Sequence, residues 1–222
     1  MKTSKKIQNF LLLVMAATLV ISCKDDEDNN PAPAPVYPNY SQLKVGNYWI
    51  YQQFDVDSSG NATPKNVFDS CYVEKDTIIN NTTYFKVIRP APFPPSVDAS
   101  YLRDSLHYTV TSEGKIIFSS QDFFTIFDEY YGFTGINQTD TIYKLTVKMT
   151  NKDWLVNVPL GNFQTSNYKI NYQMFPNWSF AGNTRAMDTR YAKNVGIVTE
   201  TLPFFASNPN YVERRLIRIH LN

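Results

Sequence analysis

The chain has 222 residues, a formal net charge of +1 and an aromatic content of 15%. Because nucleic-acid binding needs a basic stripe or patch, this balanced composition excludes nucleic acid as an expected partner. The length suits a short targeting segment followed by one domain with a substantial core.

Residues 1–22 have the pattern of an export signal. Lys2, Lys5 and Lys6 form a positive start, and an apolar run without charge extends from Phe10 to Ile21. The run is too short to cross a bilayer, which needs about 20 apolar residues. We therefore predict that residues 1–22 are a secretory signal and lie outside the fold.

The signal ends in VISC, residues 20–23, which resembles the lipobox of bacterial lipoproteins. The resemblance implies that the thiol of Cys23 carries a diacylglycerol and that the new amino terminus is acylated, for example with palmitate. Each buried methylene contributes about 0.8 kcal/mol, so two or three chains would hold the protein to a membrane almost permanently. The alternative is an ordinary signal with an incidental cysteine.

Residues 25–28 form the acidic run DDED directly after this cysteine and one lysine. The run resembles the export signal of surface lipoproteins in one large lineage of Gram-negative bacteria, which implies an outer-membrane protein that faces the cell exterior. The alternative is a solvated spacer. The segment then continues as NNPAPAPVYP, and its prolines favour a semi-rigid, extended tether. We assign residues 23–38 to the lipidated cysteine and tether, and residues 39–222 to one globular domain.

The domain has the pattern of a mostly β protein. Short runs of aromatic and β-branched residues alternate with turn residues, which is typical of antiparallel sheets. The fold class that we predict is a single antiparallel β domain, shaped as a barrel, half-barrel or sandwich, with at most one short helix. The predicted strands are residues 47–54, 67–75, 84–88, 101–110, 115–118, 141–149, 168–175, 185–191, 196–202 and 211–221, and turns are predicted at 58–61, 80–81, 112–114 and 193–194. In the last strand, alternation predicts a buried face with Ile217, Ile219 and Leu221 and a solvent face with Arg214, Arg218 and His220.

Residues 121–131 fit two structures equally well. Phe123, Phe127 and Tyr130 have helical spacing, with Ser120 as a possible N-cap and Gly132 after the last turn. Strand alternation explains the same residues, so helix and strand both stay open.

Three short motifs resemble a broad group of uncharacterised, β-rich secreted lipoproteins. Residues 46–51 read GNYWIY, residues 76–80 read DTIIN before YFKV at 84–87, and residues 191–198 read YAKNVGIV. The motifs are structural in character, and the resemblance implies no catalytic activity.

Most catalytic and metal-binding patterns are missing from the sequence. His107 and His220 are far apart, and neither lies beside a cysteine, so we predict no metal site and no cofactor. No sequence motif identifies a serine partner for His107. Cys71, the second of two cysteines, is expected to be a free, buried thiol.

Two groups of carboxylates remain as candidates for chemistry. Asp128 and Glu129 are neighbours, and neighbours on a strand point to opposite faces, which disfavours paired acid–base catalysis. Asp55 and Asp57 match the start of a calcium loop, but the twelfth position is Asn66 and not the required Glu. We expect a hairpin turn at this place.

Aromatic residues are the one excess in composition, and they form either the core or a lined cavity or stacking platform for a ligand. In the second case we expect residues 118–133 to form a wall or lid, with Trp154 and Trp178 opposite. The candidate ligand-binding residues are Phe123, Phe124, Phe127, Tyr130, Tyr131, Trp154 and Trp178.

The sequence favours a non-catalytic, membrane-anchored binding domain for an apolar or glycan ligand, so lipid or glycan is an expected partner. One alternative is a structural or assembly subunit of an envelope complex. Another is a glycan hydrolase that depends on two carboxylates.

Overall fold

The computed structural model describes residues 35–92, 95–135, 138–202 and 211–222. Residues from Val36 to Asn222 form one compact unit. The export signal, Cys23 and the tether up to residue 34 lie outside the described residues, so the assignments made for them stay predictions. Within the described part, the structure contains no helix with the length and apolar character that crossing a bilayer requires.

The described residues contain twelve strands, joined in one antiparallel sheet that curves into a half-barrel. This confirms the predicted fold class and selects one of its three shapes. A six-residue 3-10 helix, Pro176–Ala181, follows β9. The strands are β1 (Tyr48–Val56), β2 (Ala62–Ile79), β3 (Thr82–Pro92), β4 (Pro95–Ser105), β5 (Tyr108–Thr111), β6 (Ile116–Ser119), β7 (Asp128–Thr134), β8 (Asp140–Val158), β9 (Gly161–Met174), β10 (Thr184–Ala192), β11 (Gly196–Thr201) and β12 (Tyr211–His220).

The strand order places the first and last strands side by side. β1 pairs with β12 in the middle of the sheet, while β6 and β7 form its two edges. Residues 120–127 connect these edges. Phe118 of β6 packs against Tyr191 of β10, with 4.5 Å between the ring centroids. The β6 edge therefore curls over the concave side towards the other half of the sheet.

The turns that the sequence predicted are confirmed at residues 58–61, 80–81, 112–114 and 193–194. Asn80 and Asn81 both have positive φ, which suits a tight hairpin turn. The predicted single strand 101–110 is wrong, because β4 and β5 are separated by a turn at Leu106. Leu106 has φ 55°, and a leucine in this left-handed region gives no turn signal in the sequence.

An apolar core fills the concave side of the half-barrel. Cys71 belongs to it, 3% exposed and unpaired, as predicted. The tip of the β8–β9 hairpin adds Val158, and the Leu160 backbone N–H donates to the Leu216 carbonyl at 3.2 Å. This hairpin tip therefore packs beside β12 and closes part of the interior. The buried members of the core are Trp49, Tyr51, Cys71, Val73, Val87, Leu102, Val158, Ala192, Val198 and Leu216.

A β-bulge in β12 corrects one expectation from the sequence. Simple alternation places Arg214 on the solvent face with Arg218 and His220, but Arg214 is only 3% exposed. Ile50 pairs with Arg218 and Tyr51 with Leu216, which leaves Ile217 as an extra residue. An extra residue reverses the side-chain alternation beyond it, so Arg214 points inward with Leu216.

Residues 121–127 form neither a helix nor a regular strand, and β7 begins at Asp128. Of the two alternatives left open for residues 121–131, the helix is therefore wrong, and the strand holds only from Asp128 onwards. Gly132 does not end a helix. A Cβ atom there would lie 2.4 Å from the Tyr143 ring, so glycine leaves the space in which this ring packs.

Candidate functional site

The interior of the half-barrel is too full to hold a ligand of ordinary size. Its cavity measures about 50 Å³ and is bordered by Tyr51, Cys71, Arg89 and Tyr191 among others. Small-molecule sites are typically clefts of about 300–1,000 Å³. The predicted lined cavity therefore does not lie in the interior described here.

A network of buried charges lies next to this cavity. Arg214 Nε is 2.7 Å from Asp69 Oδ2, and Arg214 Nη1 is 3.1 Å from Glu200 Oε2. Arg89 Nη2 lies 2.6 Å from the same Glu200 oxygen, while Gln53 donates to Asp69 at 2.9 Å. Each charge has an opposite partner, as buried charges require, so the network is internally satisfied.

This network also secures the β3–β4 hairpin. The ladder between β2 and β3 ends at the Tyr72–Ile88 pair, so Pro90 has no partner on β2. Arg214 Nη2 donates a hydrogen bond to the Pro90 carbonyl oxygen. The guanidinium thereby replaces a missing ladder bond, which indicates a structural role for Arg214.

Buried tyrosine and thiol groups around the network are held in their neutral forms. Burial raises the pKa of Tyr51 well above its ordinary value and also raises the pKa of Cys71. Burial likewise raises the pKa of Tyr191. A nucleophilic thiolate needs a lowered pKa, so the surroundings of Cys71 favour an unreactive thiol.

The structure brings His107 next to a serine that the sequence did not identify. His107 Nδ1 lies 3.0 Å from Ser119 Oγ. The same oxygen accepts the backbone N–H groups of Gln121 and Asp122 at 3.1 and 2.8 Å, and Ser119 is fully buried. With its lone pairs engaged and no exposed surface, this hydroxyl is arranged to hold the connection after β6.

The acidic pairs are likewise engaged in local structure. Asp57 accepts hydrogen bonds from the backbone N–H groups of Ser59 and Asn61 and from the Asn61 side chain, which lower its pKa, chiefly through that side chain. The expected hairpin turn is confirmed. Glu129 pairs with Lys144 at 3.0 Å. Among the described residues, no three acidic, histidine or cysteine side chains are grouped to hold a metal ion.

The predicted aromatic residues are not grouped in one site. Phe123 and Phe127 pack on the buried cluster of Phe118, Met149 and Tyr191, whereas Phe124 is 94% exposed beside an open cleft of about 440 Å³. The structure therefore makes Phe124 a surface residue.

Trp154 and Trp178 do not lie together opposite the segment that contains Phe123, Phe124 and Phe127. The Trp178 indole N–H donates to Asp140 at the start of β8, at 3.2 Å. Trp154 lies near the other end of that 19-residue strand and is 57% exposed. Trp154 and Trp178 are therefore far apart, and the expected wall opposite residues 118–133 is not formed.

Tyr130 and Tyr131 are neighbours on β7 and point to opposite faces of the sheet. Tyr131 lies over an open groove of about 320 Å³ on the convex face. Phe133 and Phe175 are near it, with ring centroids 6.5 and 6.3 Å from that of Tyr131. We call this the aromatic groove; its residues are Tyr131, Phe133, Lys144, Gln173, Met174, Phe175 and Pro176.

Polar side chains continue the aromatic groove across the sheet. Tyr131 pairs with Lys144, Lys144 with Gln173, and Gln173 with Thr184, so these four residues form one row on one face. The Lys144 ammonium lies 5.9 Å from the centre of the Tyr131 ring. Sequence reasoning identified only Tyr131 here, because the row depends on the register between strands that are distant in sequence.

Comparisons with known proteins show the fold. One similar structure is the crystal structure of a candidate lipoprotein from Parabacteroides distasonis ATCC 8503. The alignment covers 84% of this chain and 100% of that one, with 13% sequence identity and a TM-score of 0.50. A candidate exported protein with a YmcC-like fold from Bacteroides fragilis NCTC 9343 covers 82% and 99%, with 13% identity and a TM-score of 0.47. Neither a family model nor a curated protein sequence matches the chain.

Proposed function

We propose that this protein is a membrane-anchored, non-catalytic binding domain, whose ligand is a glycan or an apolar molecule that docks in the aromatic groove. The anchor is lipid on Cys23, in the outer membrane, and the domain faces the cell exterior. The lipobox and the acidic run support this location. The similarity in fold to a candidate lipoprotein agrees with it.

The observation that carries the proposal is the contrast between a filled interior and exposed aromatic rings. The interior cavity is about 50 Å³, whereas Tyr131 and Phe133 are each 47% exposed and Phe175 is 37% exposed. Neighbouring aromatic side chains that stay in solvent mark interaction sites more often than folding determinants. A ligand would therefore bind on the convex face and not inside the half-barrel.

The non-catalytic part of the proposal rests on how the reactive groups are used. Ser119 is fully buried, with its oxygen engaged by two backbone N–H groups. Asp69 and Glu200 are neutralised by Arg214. These groups hold strands together and have no free position for a substrate.

The anchor and the binding site are tested separately. Replacement of Cys23 by Ser is expected to abolish incorporation of labelled palmitate, and continued labelling would contradict the anchor. Native mass spectrometry of the lipidated protein, extracted from cell envelopes with detergent, is expected to show a bound mass that Tyr131→Ala loses. The matched control is Phe68→Ala, an aromatic residue on β2 that is 54% exposed. A mass retained equally by both variants would place the ligand elsewhere.

An assembly role is the second candidate, and the edge strand β7 favours it. Among the described strands, β7 pairs only with β8, so no described strand pairs with its other side. Unpaired edges are templates for an added strand. A partner protein that co-purifies with the wild type and is lost when Tyr131 is replaced by proline would support this role.

A further inference from the structure

We propose that the ligand of the aromatic groove is an acidic oligosaccharide, which lies across strands β7 to β10 on the convex face. The inference rests on the proposed function and names its ligand class. Three features of this face carry it: neighbouring, partly exposed aromatic rings, amide and hydroxyl side chains in register with them, and a pair of lysines without carboxylate partners among the described residues.

The rings supply one part of the recognition. The ring centroids of Phe133 and Phe175 lie 6.5 and 6.3 Å from that of Tyr131, and all three side chains are partly exposed. The apolar face of a sugar ring stacks on such surfaces, because an aromatic ring offers a large contact area with few rotatable bonds. A purely apolar ligand would use the rings equally well, so the neighbouring polar residues decide between the two.

The polar residues beside the rings are suited to hydroxyl groups. Gln173 and Thr184 continue the row that starts at Tyr131. In the next row on the same face, Thr146 pairs with Asn171 and Asn171 with Ala186. Amide side chains both donate and accept hydrogen bonds, as sugar hydroxyls do, whereas an acyl chain would leave these groups without partners.

The charges on the same face favour an acidic ligand. Lys148 lies directly opposite Lys169 in the β8–β9 ladder, and like charges opposite each other destabilise a sheet. Asp188 pairs with Lys169 on the other side, but its Oδ1 accepts the Asn167 amide at 2.6 Å. Within the described residues, neither lysine has a carboxylate at ion-pair distance. The two ammonium groups are therefore available to the carboxylate or sulfate groups of a glycan.

The distance between rings and lysines sets a minimum ligand length. Tyr131 pairs with Lys144, and Lys148 lies four positions further along β8, which corresponds to roughly 13 Å. A single sugar ring cannot contact both ends of this span. The ligand is therefore an oligosaccharide of several residues, with an acidic group on a residue other than the one stacked on Tyr131.

The experiment measures binding of residues 24–222 to a printed array of neutral and acidic oligosaccharides, with palmitate in solution as the apolar probe. Wild-type protein is expected to bind acidic oligosaccharides. Tyr131→Ala and the double variant Lys148→Gln/Lys169→Gln should each weaken binding about tenfold or more, equal to about 1.4 kcal/mol. Phe68→Ala and Lys75→Gln, on exposed positions of β2, are the matched controls and should bind as wild type. Added salt should weaken the wild type more than the double lysine variant.

The outcomes separate this inference from the proposed function. Binding of neutral oligosaccharides or of palmitate alone, if lost in Tyr131→Ala but kept in the lysine variant, overturns the acidic ligand and leaves the proposed function standing. Binding that none of these substitutions changes overturns both. Binding to no probe also overturns both.

Discussion

The guanidinium of Arg214 and the carboxylate of Asp69 lie 2.7 Å apart inside the half-barrel, where their side chains are 3% and 9% exposed. β12 and β2 are the two neighbours of β1, so this ion pair spans the strand between them. Glu200 and the Pro90 carbonyl complete the contacts of the guanidinium. The pair therefore links β2 and β12 to the β3–β4 hairpin.

Replacement of Arg214 by methionine is expected to cost about 3–5 kcal/mol of unfolding free energy, because Asp69 is left as an uncompensated buried charge. Arg218 is the matched control on the same strand. It is exposed and contacts Tyr48, so Arg218→Met should cost less than about 1 kcal/mol. Urea denaturation measures both values. Equal small losses for the two variants would show that the buried network contributes little to stability.

Ser119 and Ser120 are adjacent serines with opposite expected effects. Ser119→Ala removes the acceptor of two backbone N–H groups and a contact to His107, and should cost about 1–3 kcal/mol. Ser120 Oγ is buried without a hydrogen-bond partner among the described residues, so Ser120→Ala should be neutral or slightly stabilising. Thermal unfolding of the two variants provides the test. A larger loss for Ser120→Ala would refute the assigned hydrogen bonds.

Titration of the Glu213 carboxyl group is expected to contribute to the pH dependence of the unfolding free energy. Burial raises its pKa above the ordinary value of 4.5, although Arg215 opposes the shift. The folded state therefore binds the proton of the Glu213 carboxyl group more tightly than the unfolded state does. The resulting stabilisation is present below pH 4.5 and is lost as the pH rises through the folded-state pKa.

The Glu213→Gln variant should lack this decline when the unfolding free energy is measured from about pH 2.5 to 8, a range that also covers the control below. Glu113→Gln is a control of opposite sign. Hydrogen bonds, first of all from Ser112, lower the pKa of Glu113, so its contribution is present above pH 4.5 and is lost as the pH falls through the folded-state pKa. If the two difference curves had the same sign, the surroundings inferred for Glu213 would be incorrect.

Local chemistry explains which parts of the fold the sequence could predict. Asn80 and Asn81 tolerate positive φ, and their turn was predicted correctly. Leu106 also has a positive φ, but leucine has no preference for this conformation. Its turn was therefore missed. The bulge at Ile217 depends on pairing between β12 and β1, which lie at opposite ends of the chain. The inward position of Arg214 could not be predicted for the same reason.

The candidate site was predictable only in part. The density of aromatic residues identified Tyr131, but it equally suggested Phe127, which packs in a buried cluster, and Trp154, which lies near the other end of β8. Lys144 and Gln173 join Tyr131 only through the register of three strands. Sequence periodicity assigns faces within a strand, but it does not fix the alignment between strands.

Site-specific photo-crosslinking in intact cells tests whether a ligand binds in the aromatic groove. A photoreactive p-benzoylphenylalanine would replace Phe133 in the aromatic groove or, as the matched control, Phe68 on β2; these residues are 47% and 54% exposed. A crosslinked adduct that Tyr131→Ala removes is expected from position 133, and no such adduct is expected from position 68. Adducts of equal yield from both positions, or from position 68 alone, would contradict a ligand site in the aromatic groove.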